Sequence, residues 1–385
     1  MHIAFCAPIT CRAFHAYLGS PDDLPDEEYG LTTDLALGYL ELGHRLTVVS
    51  WSRATPVTRV WQRDNLKVIA VPMRNLSTGL PSLVREMTAQ IRAAQPDVVH
   101  AHWLYEFADA ALTSQVPALI TAHDAPWRIA GLERAPYWWY RAAYAQLRVI
   151  PRIKTLSTVA PYTQDALRRG CRYRRRMELI PNGVPTGHHA DRARAQRLHG
   201  HDITLMSISN WSIHKNIPVT LHAFAVVKRH FPAARLILAG NGLGPDQAAH
   251  AYALGRNLLS GVEFKGPLPR DQIYELLRDE VDICLHTSRE ECCCMALLES
   301  MSQGVPCVAG QASGGTPWVL DDGSAGVLAD IEAPDSVADG VLSLLRDEVA
   351  YARISKAAWI RARTTFSFDR IISRYLEVLA EVAHP

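Results

Sequence analysis

Residues 281–310 read VDICLHTSREECCCMALLESMSQGVPCVAG, and this pattern decides the architecture of the chain. The apolar run 281–287 predicts a buried strand, a tight polar loop follows, and 295–303 has helical spacing. Gly304 supplies a helix stop, and a second apolar run starts at Val305. Strand, helix and strand in that order form a βαβ unit, whose ligands sit at the carboxyl ends of the parallel strands. Two carboxylates bracket the loop and helix, Glu291 and Glu299. Glu299 lies four residues after Met295 and three before Ser302, on a side of the helix expected to face inward. A carboxylate placed there requires a partner.

At 385 residues the chain exceeds what one hydrophobic core usually supports, so two domains are expected. With 48% apolar residues and a formal net charge of +1, the composition is that of a globular protein and gives no reason to expect nucleic acid as a partner. No apolar run reaches the roughly 20 residues needed to span a bilayer. The first residues, MHIAFCAPIT, lack a charged leader region and a small-residue cleavage site, so they predict a first strand and a cytoplasmic protein. The eight cysteines are expected as thiols, since Cys6, Cys284 and Cys307 lie in apolar runs where cysteine acts as a small hydrophobe. Cys292, Cys293 and Cys294 are consecutive and cannot easily wrap one tetrahedral zinc. No C-x2-C or H-x3-H pair completes such a site, so no metal is expected.

Outward from the central stretch, both halves alternate apolar strands with helical patterns. The first half runs HIAFCAP, TTDLALGYLELG, HRLTVVSW, LKVIAVP, a helix over 83–94, DVVHAH and ALITAH. The second restarts with DITLMSIS, a helix over 218–230, ARLILAGNG, helices over 245–258 and 270–278, and later SAGVLAD with a helix over 336–345. Such alternation predicts parallel sheets covered by helices on both faces. Between them, PNGVPTG supplies turn formers and the polar segment 188–200 lacks strand character, placing the boundary near 186–201. A basic and aromatic stretch, 133–154, is expected to be one helix. Its rings either pack against the sheet, the favoured reading, or rest on an anionic membrane surface.

The E-x7-E spacing of Glu291 and Glu299, followed by SMSQGVPCVA, resembles the donor-site motif of retaining GT-B glycosyltransferases, in particular glycosyltransferase family 4. The strand-end segments HAHW (100–103) and TAHD (121–124), the PNGV turn and the final helical segment FSFDRIISRYLEVLAEV resemble other parts of that family. The resemblance implies an α/β protein of two Rossmann-like parallel-sheet domains facing a central cleft. Residues 1–187, completed by a C-terminal helix over 368–385, would form the acceptor domain, and 188–367 the nucleotide-sugar donor domain. It further implies Lys215 and the Gly314-Gly315 amides, with Thr316 opening a helix, on the donor diphosphate. Glu299 would hold the ribose hydroxyls and Glu291 the sugar, while His123 and His102 would lie on the reacting and acceptor side. The departing phosphate itself would deprotonate the acceptor hydroxyl, with no cofactor and no metal.

Four departures from the family pattern stand out. Asn210 occupies the position of an arginine, which leaves His214, when protonated, to make up the charge. Trp318 replaces a glutamate, and the cysteine run replaces a Gly-aromatic-Gly run, which narrows the pocket. Gly30 stands alone where relatives carry a Gly-Gly pair near the acceptor. The implied reaction moves a sugar from a nucleotide diphosphate sugar to a hydroxyl of a glycan, glycolipid or small molecule. Sugar-nucleotide epimerisation and silent sugar-nucleotide binding are the alternatives. A glycolipid acceptor would bring peripheral contact with the inner membrane face.

Overall fold

The computed structural model describes residues 1–25, 27, 29–73, 80–190 and 202–384. The expected alternation resolves into two sheets, one in each of two compact units. The first unit comprises Met1–Pro181 together with Asp369–Pro385, and the second Asn182–Phe368. Of the boundary expected at 186–201, residues 191–201 lie outside the described residues.

In the first unit β1 (His2–Cys6), β2 (Arg45–Ser52), β3 (Arg59–Arg63), β4 (Leu66–Pro72), β5 (Val98–His102), β6 (Ala118–Ala122), β7 (Thr155–Thr158) and β8 (Met177–Leu179) form one sheet. Its order is β3-β4-β2-β1-β5-β6-β7-β8. Every pair is parallel except β3 with β4. The central strands β1 and β5 are buried along their whole length, as strands covered on both faces by helices must be. β3, RVWQR, went unread in the sequence because it is an exposed antiparallel edge strand with no apolar side to signal it.

The second unit carries β9 (Thr204–Ile208), β10 (Arg235–Ala239), β11 (Val262–Gly266), β12 (Ile283–His286), β13 (Cys307–Gly310) and β14 (Val327–Ala329). They form an all-parallel sheet in the order β11-β10-β9-β12-β13-β14. The order reverses its direction of growth at β9, so the carboxyl ends of β9 and β12 flank the switch point where such sheets bind ligands. A helix over Glu348–Thr364, absent from the sequence reading, follows Pro334–Arg346 after a single capping residue, Asp347, whose carboxylate accepts from the Ala350 amide. Inside this unit Val184 forms an isolated parallel bridge with Ser367. The Val184 amide donates to the Phe366 carbonyl at 3.0 Å, and the Phe368 amide donates to the Val184 carbonyl at 3.3 Å. The beginning and end of the second unit are thereby stitched side by side.

The stretch 133–154 is not one helix. Pro136 starts a new helix, Pro136–Tyr144, after a separate helix over Pro126–Glu133, and a π-helical turn over Ala145–Val149 follows. Three of its arginines turn to two buried acids of the helix Glu106–Ser114. Arg141 pairs with Glu106 at 2.5 Å, and Arg148 and Arg152 pair with Asp109 at 2.5 and 2.6 Å. The Arg141 guanidinium also lies 3.8 Å from the centre of the Tyr105 ring. Trp139 and Tyr140 remain exposed. Among the described residues no helix is long and apolar enough to cross a membrane. The eight cysteines are thiols.

Candidate functional site

At the carboxyl ends of β9, β10 and β12 lies a pocket of about 420 Å³. Its lining includes Asn210, Lys215, Gly240, His286, Glu291, Cys293 and Cys294. Gly240 ends β10 with φ +132°, and a Cβ there would sit 1.6 Å from the Ser209 carbonyl oxygen, so only glycine lets these two strand ends meet. Lys215 follows β9 and immediately precedes the Asn216 cap of the helix Ile217–His230. Its ammonium contacts Glu291 Oε1, as an ion pair whose side chains are 18% and 12% exposed. The same carboxylate oxygen meets His286 Nε2 at 2.9 Å, and His286 Nε2 meets Cys294 Sγ at 3.3 Å.

The electrostatics of this cluster follow from its crowding. Burial alone would raise the Glu291 carboxyl, but Lys215 and the His286 hydrogen bond outweigh it and hold it well below the usual carboxylate range. Burial would lower His286, yet the Cys294 sulfur and then Glu291 lift it to about 9. Burial would lower Lys215 as well, and Glu291 reverses the sign. Glu291 Oε1 therefore holds the Lys215 ammonium and at the same time meets the His286 ring.

The loop 287–294 is fixed by its backbone. The Ser288 hydroxyl donates to the Glu290 carbonyl at 3.1 Å, and Asn182 Nδ2 donates to the Cys293 carbonyl at 2.7 Å. The Gly315 amide donates to the Glu291 carbonyl at 2.7 Å. This last bond corrects the sequence expectation for Gly315: its N–H is committed to the Glu291 loop instead of being open to a phosphate. Gly314 beside it takes φ +58°, and the helix that Thr316 opens is a single turn, Thr316–Val319, with the Thr316 side chain fully buried. Trp318 meets the Phe366 ring edge-on at 5.5 Å.

Glu299 is buried on the helix Met295–Ser302, and the partner its burial demanded is Arg270, with Nε 3.3 Å from Oε1. Asn210 is exposed at the mouth of the pocket, where its Oδ1 accepts from the Ser212 hydroxyl at 2.8 Å. The same hydroxyl lies 3.3 Å from His214 Nδ1. The structure thus gathers Lys215, Glu291 and Asn210 around one pocket, with Glu299 on the helix behind it.

In the first unit, His100 and His102 share one face of β5 and both are buried. His100 is structural: its ring nitrogens meet the Tyr39 hydroxyl at 3.1 Å and the Thr121 hydroxyl at 2.8 Å, and burial lowers it to about 3. His102 Nδ1 meets His123 Nε2, at the end of β6, at 2.7 Å. Burial lowers His102 well below the ordinary histidine value and His123 to about 3, so the two rings share one neutral hydrogen bond. Trp103, just past β5, takes φ +62° and lies with its ring centre 4.6 Å from that of His123, a strained residue of the kind found beside binding sites. Asp124 accepts from the Tyr105 hydroxyl at 3.0 Å, and burial lifts it to about 6. Gly30 starts the helix Gly30–Glu41, whose entry is tied down by the Thr10 amide donating to Thr33 Oγ1 at 2.8 Å.

Sequence reasoning missed His286 and Arg270, and it took Trp103 and Asp124 only as the ends of the HAHW and TAHD segments, without a role. His286 carried a usable signal, since it ends an apolar strand as His102 does. Arg270 carried none.

Two doubly covered parallel-sheet units of this kind define the GT-B fold. The chain aligns over 99% of its length with 99% of sucrose-phosphate synthase from Thermosynechococcus elongatus, at a TM-score of 0.81 and 16% identity. It also aligns with an Anabaena structure, HepE in complex with UDP-glucose, over 99% of this chain and 100% of that one, at a TM-score of 0.70 and 17% identity. The family model for glycosyl transferases group 1 matches residues 190–360, and that for glycosyltransferase family 4 matches 31–188. The chain belongs to glycosyltransferase family 4. Among curated proteins it is 31% identical over 180 residues to N-acetyl-alpha-D-glucosaminyl L-malate synthase of Bacillus anthracis, covering 46% of this chain and 45% of that protein. It spans less than half the length of the first curated relatives it matches.

Proposed function

We propose that this chain transfers a sugar from a nucleoside diphosphate sugar to a hydroxyl acceptor with retention of anomeric configuration and without a resident metal ion. The observation that carries the reading is the cluster of Lys215, His286 and Glu291 at the switch point of the second sheet. The Lys215 ammonium, largely buried at the pocket and held beside Glu291, is a positive group that suits an anionic diphosphate. Lys215 contacts the departing diphosphate, and its ammonium shifts from Glu291 toward the phosphates as negative charge develops there. Glu291 holds the donor sugar and Glu299 the ribose. Gly314 and Thr316 border the diphosphate, and Asn210 donates an amide hydrogen bond to it. The first unit supplies acceptor contacts from Gly30, His102 and His123. A neutral His123 can accept from or donate to a hydroxyl without a charge of its own.

The acceptor is a glycan, a glycolipid or a small hydroxylated molecule. The name of the Bacillus anthracis relative, which couples a glucosaminyl group with L-malate, supports the last. A glycolipid would instead bring the exposed Trp139 and Tyr140 to a membrane surface, which co-sedimentation with anionic vesicles would detect.

A thermal-shift screen with UDP, GDP, ADP and dTDP identifies the nucleotide, since a ligand at 100 times its Kd stabilises the folded state by about 2.7 kcal/mol. Incubation with the matching sugar nucleotides and hydroxylated acceptors then tests transfer, and NMR of the product reads the anomeric configuration. Epimerised free sugar, or binding without turnover, would overturn the proposal.

A further inference from the structure

The pocket wall carries a second grouping, which shares His286 and Glu291 with the donor-site cluster and adds Cys294. His286 Nε2, Glu291 Oε1 and Cys294 Sγ lie within 4.8 Å of one another. They come from three separately anchored places: the end of β12, the pinned loop, and the cap position of the helix Met295–Ser302. The two closest separations are 2.9 and 3.3 Å. Tetrahedral zinc, with bonds of about 2.0–2.3 Å, holds its ligand atoms about 3.5 Å apart. Shifts of well under the length of one bond would therefore let all three face a single ion. The sequence reading rejected zinc because consecutive cysteines cannot wrap it. Only one of the three is needed here, since a strand-end histidine and a loop carboxylate supply the other donors.

We propose that His286, Glu291 and Cys294 form a site for a zinc-class cation that overlaps the donor site, so that cation and nucleotide sugar exclude one another. One thiolate, one imidazole and one carboxylate form a mixed soft donor set that favours zinc over magnesium or calcium. Three protein ligands leave a fourth position open, and all three residues line the pocket, which gives the ion its entry path. On binding, the thiol and any imidazolium proton pass to solvent, and the cation takes their place between sulfur, nitrogen and oxygen. Glu291 is then a metal ligand, so it no longer holds either Lys215 or the donor sugar. The exclusion rests on the donor-site reading given above, whereas the cation site itself does not.

Cobalt(II) serves as the spectroscopic probe for zinc. Titrated into the full chain, it is expected to bind once per chain with a thiolate-to-cobalt charge-transfer band that zinc abolishes and magnesium leaves unchanged. Cys294→Ser should lose the band, and Cys171→Ser, in the other unit, should keep it. His286→Gln, a second variant that leaves the thiol in place, should weaken cobalt binding at least about tenfold. Absence of a thiolate band, or an equal band in Cys294→Ser, overturns the cation site. The exclusion is read separately, by calorimetry with the nucleotide sugar that the transfer assay accepts. Saturating zinc should raise its Kd at least about tenfold, reversed by chelator. An unchanged Kd with zinc bound overturns the overlap. A chain that binds cobalt but no sugar nucleotide refutes the donor-site reading and leaves the cation site standing.

Discussion

Replacing Lys215 by methionine keeps most of the side chain's length and removes the only lysine or arginine lining the pocket among the described residues. Its ammonium is already desolvated beside Glu291, so little further desolvation is needed when a diphosphate arrives. A charge-assisted hydrogen bond in such a place contributes about 1.5–3 kcal/mol, below the roughly 4 kcal/mol that two unit charges about 4 Å apart gain at an effective dielectric of 20. Nucleoside diphosphate affinity should therefore fall by roughly ten- to 150-fold. The ratio kcat/KM should fall at least as far, because more negative charge sits on the leaving diphosphate in the transition state. Calorimetry with the nucleotide found by thermal shift, in the presence of chelator, gives the first number, and initial rates give the second. Circular dichroism controls for folding, since the variant leaves Glu291 with His286 alone. A folded Lys215→Met protein that binds within about twofold of wild type would refute the phosphate assignment.

Glu299→Ala should raise donor KM more than it lowers kcat, because ribose contacts are made alike in ground and transition states. Unaltered calorimetric affinity for the free nucleotide would sink the ribose role. Stability should depend on pH through His100. Its folded value, about 3, lies below the roughly 6.5 of an unfolded histidine, so its contribution is complete above that value and is lost as pH falls below it. Between pH 7 and 5 the loss attributable to this one residue is about 2 kcal/mol in urea denaturation. His100→Gln should flatten the dependence by that amount, and an unaltered slope would contradict it. Arg141→Met should cost about 3–5 kcal/mol, since it strands Glu106 in the core. The double variant Arg141→Met with Glu106→Leu should recover most of this, and no recovery would show that the arginine acts mainly through Tyr105.

The repeating strands and helices were legible because buried parallel strands are continuous apolar runs, as in β1 and β5, and because Gly304 punctuates its helix visibly. The unread edge strand β3 and the break at Pro136 show the limits of pattern. The first has no buried face, and at the second an aromatic run masked a proline start. The site was legible as types of residue and not as pairs. Lys215 and Glu291 are 76 positions apart, and nothing local announces that one will hold the other. Arg270 reaches Glu299 only because the helix Arg270–Asp279 lands beside it. The commitment of the Gly315 amide to the Glu291 carbonyl is a backbone bond that side-chain spacing could not reveal.

The helix Phe368–Ala383 packs its Tyr375 ring 4.8 Å from His100, and Arg374 reaches Glu178 at 2.9 Å, both in the first unit. On the ribosome that unit therefore has to wait. Its own 181 leading residues emerge first, but the helix that closes over His100 is made only after the whole second unit. At about 5–20 residues per second the delay is on the order of ten seconds or more. During that interval a face meant to be covered stands open, which makes the nascent first unit a natural client for chaperones. Expression of residues 1–181 alone should yield a protein that aggregates, and supplying the helix in trans as a peptide is the direct way to rescue it.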